Sequence, residues 1–124
     1  MRGKYIRWSV VLIAFILSAC NTHTERPPNP QELYDEGQHL YVEFCAECHQ
    51  EDGRGWSTLY PRLAGNPIVT LHDPEPIINT VTYGQGSMTN FRDKLNNQQL
   101  AAILTYIRNS WGNHAPAVSD RQIH

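Results

Sequence analysis

The sequence predicts an all-α domain, with about three main helices joined by long loops. No stretch alternates apolar and polar residues convincingly over five or more positions, as a half-buried strand would. Apolar residues instead recur at helical spacing near both ends of the domain, with a shorter run between them. Long loops in a compact domain need a reason. One is offered by Cys45-Ala46-Glu47-Cys48-His49, which lies directly after the first helical run.

In chain order, the N-terminus reads as a targeting segment. Arg2, Lys4 and Arg7 form a basic region, and Val10 to Leu17 an apolar one shorter than a membrane span. It passes through Leu17-Ser18-Ala19 into Cys20. That ending resembles the lipobox of bacterial lipoproteins, which implies cleavage after residue 19 and a lipid on Cys20. An uncleaved signal anchor is the competing reading, and either one exports and tethers the domain. The expected divisions are a lipoprotein signal peptide over 1–19, a tether over 20–30, the folded domain over 31–113, and a polar tail over 114–124 that frays.

Removing the signal takes away three of the ten basic residues. Seven then face twelve acidic ones, a formal balance of −5. Such a surface argues against nucleic acid and for docking on a basic partner. A folded part of roughly 80–90 residues buries only ~60–65% of its unfolded surface. An apolar cofactor in its middle would relieve that shortage.

The tether carries Pro27, Pro28 and Pro30, which favour extended polyproline II. A first helix is expected from Gln31 to Phe44. Leu33, Gly37, Leu40, Tyr41 and Phe44 share one face, and Gly37 admits something close, most naturally a crossing helix. The C-x-x-C-H pattern of covalent c-type haem attachment follows. The thiols of Cys45 and Cys48 can each reach one haem vinyl group and become thioethers, while the imidazole of His49 lies under the ring and binds iron. Half of a zinc site is an alternative, but no second pair completes it. A thioredoxin-like pair would want a βαβ setting, and the neighbouring pattern is helical. With Cys20 assigned to lipid, no cysteine is left for a disulfide, although the compartment would permit one.

Gln50 to Gly55 is loop. Asp73-Pro74 reads as an N-cap with proline at the first helical position, followed by Ile77, Ile78 and Val81, with Gly84 as the stop. In the last helix, Asn96 and Gln99 resemble a capping box. Leu100, Ile103, Leu104, Ile107 and Trp111 trace its stripe, and Gly112 takes the C′ place.

With these parts in order, residues from about Gln31 to Trp111 resemble a class I (mitochondrial-type) cytochrome c domain. The resemblance implies one covalently bound haem c wrapped by the helices and loops, with thioethers from Cys45 and Cys48 and His49 as the proximal ligand. Gly37 and Tyr41 match the glycine and aromatic of the family's first helix, which crosses the last near an aromatic such as Tyr106. Pro61 and Leu63, followed by Gly65, look like the proline–leucine segment whose proline carbonyl takes the histidine N–H. Met88, in a Gly-x-Met loop ahead of Phe91, sits where the family places its distal ligand. Thr89 stands where the family usually has a proline that stiffens this loop. His72 is the rival sixth ligand; His39 points away from the seam, and His23, His114 and His124 lie in tether or tail. The last helix and the Tyr60–Asn66 segment are similar to cytochrome modules of bacterial periplasmic dehydrogenases.

If His49 and Met88 fill both axial places, iron has no open position and can only change charge. Phe44, Leu63, Ile77, Ile78, Val81 and Phe91 are expected to form an apolar pocket. Glu43, Glu47, Glu51 and Asp52 are placed to steer a basic partner. The expected function is a membrane-tethered, single-haem electron carrier on the periplasmic side of a bacterial membrane. Its partners would be proteins: a dehydrogenase, reductase or oxidase. The alternatives are a haem enzyme or gas sensor with a labile Met88, and a cytochrome subunit of a larger dehydrogenase or oxidase complex.

Overall fold

The computed structural model describes residues 26–124, so Cys20, the signal segment, the start of the tether and His23 lie outside it. Four α-helices follow in order: α1 Pro30–Phe44, α2 Ala46–His49, α3 Glu75–Tyr83 and α4 Asn97–Ile107. A single 3₁₀ turn, Asp120–Gln122, closes the chain. The described residues contain no strand, only an isolated antiparallel bridge between Trp56 and Tyr60. None of the described helices is long and apolar enough to cross a membrane.

Local chemistry sets the helix starts. Asn29 caps α1, accepting from Gln31 N and Glu32 N at 3.0 Å each, while the Glu32 carboxylate takes the Asn29 N–H. Asn96 and Gln99 form the same reciprocal box at α4. At α3 the cap position falls on Pro74, and Asp73 accepts the Glu75 N–H from one residue further out. Gly84 stops α3 with φ +78°.

α1 and α4 make the central crossing. Gly37 is buried there, and a Cβ on it would overlap the Ala102 carbonyl, so hydrogen in place of a side chain lets the backbones meet. Tyr41 has no exposed surface, and its ring centroid lies 5.3 Å from that of Tyr106. The α4 stripe is wider than its spacing implies, because every residue from Leu100 to Arg108 is buried.

Besides the α3 cap, which falls one residue later than the sequence expectation, two boundaries differ from it. α4 ends at Ile107 with Arg108 as its cap, so Trp111 (φ +53°) and Gly112 lie in the turn beyond it. Side-chain bonds from that turn to distant loops outweigh one more turn of helix. The expected fraying of 114–124 is also corrected. Val118 and Ile123 are 1% and 3% exposed, in the core cluster. Thr105 Oγ1 both accepts from Val118 N at 3.0 Å and donates to its carbonyl at 3.3 Å. Asn97 Nδ2 donates to Ile123 O at 3.0 Å. Two buried apolar side chains hold a mostly polar segment against α4.

Candidate haem site

The polypeptide leaves α1 at Cys45, whose φ of −122° breaks the helix, and winds one further turn through Ala46–His49. This short helix was not anticipated. It brings Cys45, Cys48 and His49 onto one wall of a cleft of about 500 Å³. Tyr60, Pro61, Met88 and Phe91 also line it. A larger hollow of about 720 Å³ lies between residues 26–33 and the C-terminal tail, but no histidine, cysteine or methionine lines it. Donor chemistry therefore selects the smaller cleft.

His49 is 8% exposed, and its Nδ1 lies 2.8 Å from the Pro61 carbonyl oxygen. A carbonyl can only accept, so Nδ1 carries the proton. In the neutral ring this leaves Nε2 with a free lone pair, the tautomer a metal requires. The donated bond also fixes the ring and raises its basicity.

A set of backbone bonds holds that carbonyl in place. Gly55 N donates to His49 O at 2.8 Å, and Gly53 O accepts from Leu63 N and Ala64 N at 2.8 and 3.0 Å. From the turn after α4, Asn113 takes the Gly65 N–H at 2.8 Å and donates to the Leu63 and Ile107 carbonyls at 3.1 and 2.8 Å. Trp111 lies against Gly53 and donates from Nε1 to Glu51 O at 2.9 Å. Tyr41 donates to the Gln50 carbonyl at 2.6 Å. Apolar periodicity cannot find Asn113 or Trp111 as supports, and their only sequence signal is a Trp-Gly-Asn run just past a helix.

The other predicted residues divide. Phe44 and Phe91 line the cleft as an edge-on pair 6.4 Å apart. Leu63, Ile77, Ile78 and Val81 are buried in the core cluster and are not among the cleft's lining residues. Met88 lines the cleft and is half-buried. Its N–H donates to Gln85 O at 3.0 Å, closing a turn that begins just after Gly84. His72 and His39 are exposed and outside the lining.

Burial, then the charge of Cys48, pushes the Cys45 thiol up to about 12. Burial chiefly raises the Tyr41 phenol too. Of the two, Cys45 lines the cleft. The donor set fits a c-type haem: two thiols at the attachment spacing, one imidazole in the right tautomer and one thioether, on an apolar cleft.

Comparison with known proteins agrees. Residues 32–107 match the family model described as cytochrome c oxidase, cbb3-type, subunit III. The chain is 35% identical over 91 residues to the cytochrome c subunit of an alcohol dehydrogenase (quinone) from Gluconobacter oxydans, covering 64% of this chain and 19% of that one. It thus spans about a fifth of that relative's length. It is 30% identical over 92 residues to cytochrome c-552 of Thermus thermophilus, covering 62% of this chain and 69% of that protein. Among solved structures, cytochrome cL from Hyphomicrobium denitrificans aligns with a TM-score of 0.51 at 20% identity, over 73% of this chain and 56% of that one. The fold is that of the class I cytochromes c.

Proposed function

The chain belongs to the cytochrome c family of the cbb3-type subunit III kind, its cofactor is haem c, and on that premise we propose that it is a tethered single-haem electron carrier. Bound in the cleft, the haem supplies a one-electron iron(III)/iron(II) couple. Cys45 and Cys48 would hold it through thioethers, and His49 Nε2 would bind the iron while Nδ1 remains on Pro61. Met88 would supply the second protein ligand. Phe44 and Phe91 keep water from the cleft, which favours the less charged, ferrous state.

The observation that carries this reading is the placing of His49 and Met88 on one cleft while His72 stays outside it. With two protein ligands no coordination position is open, and the chain is a carrier rather than an enzyme. Likeness to a dehydrogenase cytochrome subunit favours the form in which this domain is the electron-transfer station of a periplasmic dehydrogenase, with protein redox partners. Lipid on Cys20 would tether the domain at the periplasmic side of the membrane.

Expression of the full chain with haem-attachment machinery tests both parts. One haem per polypeptide, and a mature N-terminus at Cys20 carrying acyl groups by mass spectrometry, are the expected result. A second haem, or a wild-type protein that keeps residues 1–19 or bears no lipid on Cys20, contradicts it.

A further inference from the structure

The loop between His49 and Pro61 carries a feature that haem binding does not use. Trp56, a large apolar side chain outside the cleft's lining, is 69% exposed; its neighbour Leu59, 57% exposed, does line the cleft. The turn that displays them is built: Trp56 N donates to Tyr60 O at 3.0 Å and Tyr60 N to Trp56 O at 3.3 Å. Leu59 N donates to Ser57 Oγ at 3.3 Å, and the Trp56 and Tyr60 rings stack at 14° with centroids 6.4 Å apart. On one side, Leu59 and Tyr60 line the haem cleft. On the other, Trp56 borders a shallow hollow lined by exposed Glu47, Glu51 and Asp52, where Arg54 lies 3.5 Å from Asp52.

We propose that the Trp56–Tyr60 turn is the docking face for a basic redox protein, one that presents an apolar recess ringed by lysine or arginine. This rests on the electron-carrier reading. Rigid exposed aromatics are the usual anchors of an interface, and a charged rim sets orientation and on-rate. Charge selects the occupant. A second copy would set Glu47 and Glu51 against their own equivalents, and an anionic bilayer would repel them; a basic partner does neither. Docking here brings the partner to the cleft mouth, one residue from the carbonyl that holds His49.

The test uses the full-length haem-loaded protein, reduced, with a lysine-rich mitochondrial-type cytochrome c in its ferric state as the probe. One electron leaves the iron of this protein, which is oxidised, and reduces the probe. Binding is followed by titration and transfer by stopped flow. Trp56→Ala should weaken binding and slow transfer about tenfold at both low and high salt. Trp56→Phe should recover most of the loss, and the pair Glu47→Gln with Glu51→Gln should act at low salt only. Unchanged spectra and potential in the variants show an intact haem site. Wild-type behaviour of Trp56→Ala overturns the proposal. So does dimerisation of the wild type, or co-sedimentation with phosphatidylglycerol vesicles beyond that due to the Cys20 lipid, that Trp56→Ala abolishes. Failure of the parent reading looks different: no covalent haem, or no electron passed even to ferricyanide.

Discussion

Asn113 donates from Nδ2 to the Leu63 carbonyl at 3.1 Å, across 50 positions of sequence. The same side chain accepts the Gly65 N–H and donates to Ile107 O. Being 2% exposed, it can exchange none of these bonds for water. It joins the end of α4 to the segment whose Pro61 carbonyl orients His49. Asn113→Ala leaves the buried Leu63 and Ile107 carbonyls short of a partner, at about 1–3 kcal/mol each. We expect a total loss of about 3 kcal/mol, read by guanidinium unfolding of the holoprotein. A loss below about 0.5 kcal/mol, the size of an ordinary surface change, would mean the clamp is dispensable.

Gly84 governs the other side of the cleft. Its φ is +78°, and a Cβ there would lie 2.6 Å from the Met88 carbonyl oxygen. Gly84→Ala should displace the Met88 turn and weaken the sulfur–iron bond. The expected signs are loss of the methionine-to-ferric-iron absorption band and new CO binding by the ferrous form. Retention of the band would show that the turn tolerates the side chain.

Gly37→Ala tests the helix crossing. The added methyl meets the Ala102 carbonyl and Tyr106 Cβ, both of which belong to the packed seam. Over-packing of this kind costs about 1–3 kcal/mol or more. A helix-propensity gain of up to about 1 kcal/mol works in the opposite direction. Thermal unfolding should show net destabilisation; a raised Tm would mean that α1 and α4 separate freely.

Tyr41 gives a pH dependence. Burial raises its phenol above the ordinary value, so the unfolded chain releases this proton at lower pH than the folded one. Its contribution is fully present below about pH 10, the unfolded value, and is lost as pH rises from there through the folded pKa. Tyr41→Phe should lower stability at neutral pH, through the lost bond to Gln50 O, and flatten the alkaline decline. An unaltered alkaline slope would assign the decline to other groups.

Much of this was legible because it is local chemistry. The Asn96 cap, the Gly37 crossing and the attachment motif each follow from a few adjacent residues. What sequence missed depends on residues far apart. α4 stops at Ile107 because Asn113 and Trp111 are held by loops near residues 51–65. The tail packs because Val118 and Ile123, isolated in a polar segment, find a place beside α4. Arg108 is fully buried, with Nε and one terminal nitrogen on the Pro116 and Val69 carbonyls and the other terminal nitrogen unpartnered. Composition gives no hint of such a residue. Exposed Trp56 is likewise a surface property that periodicity does not register.

The central claim is that two protein ligands close the iron of one covalently held haem. An absorption spectrum of the mature holoprotein, oxidised, reduced and then exposed to CO, tests it most directly. The account predicts a c-type spectrum, a methionine-to-ferric-iron charge-transfer band, and no change with CO. Ready CO binding would contradict closure by Met88, and the absence of covalent haem would contradict the assignment of Cys45 and Cys48.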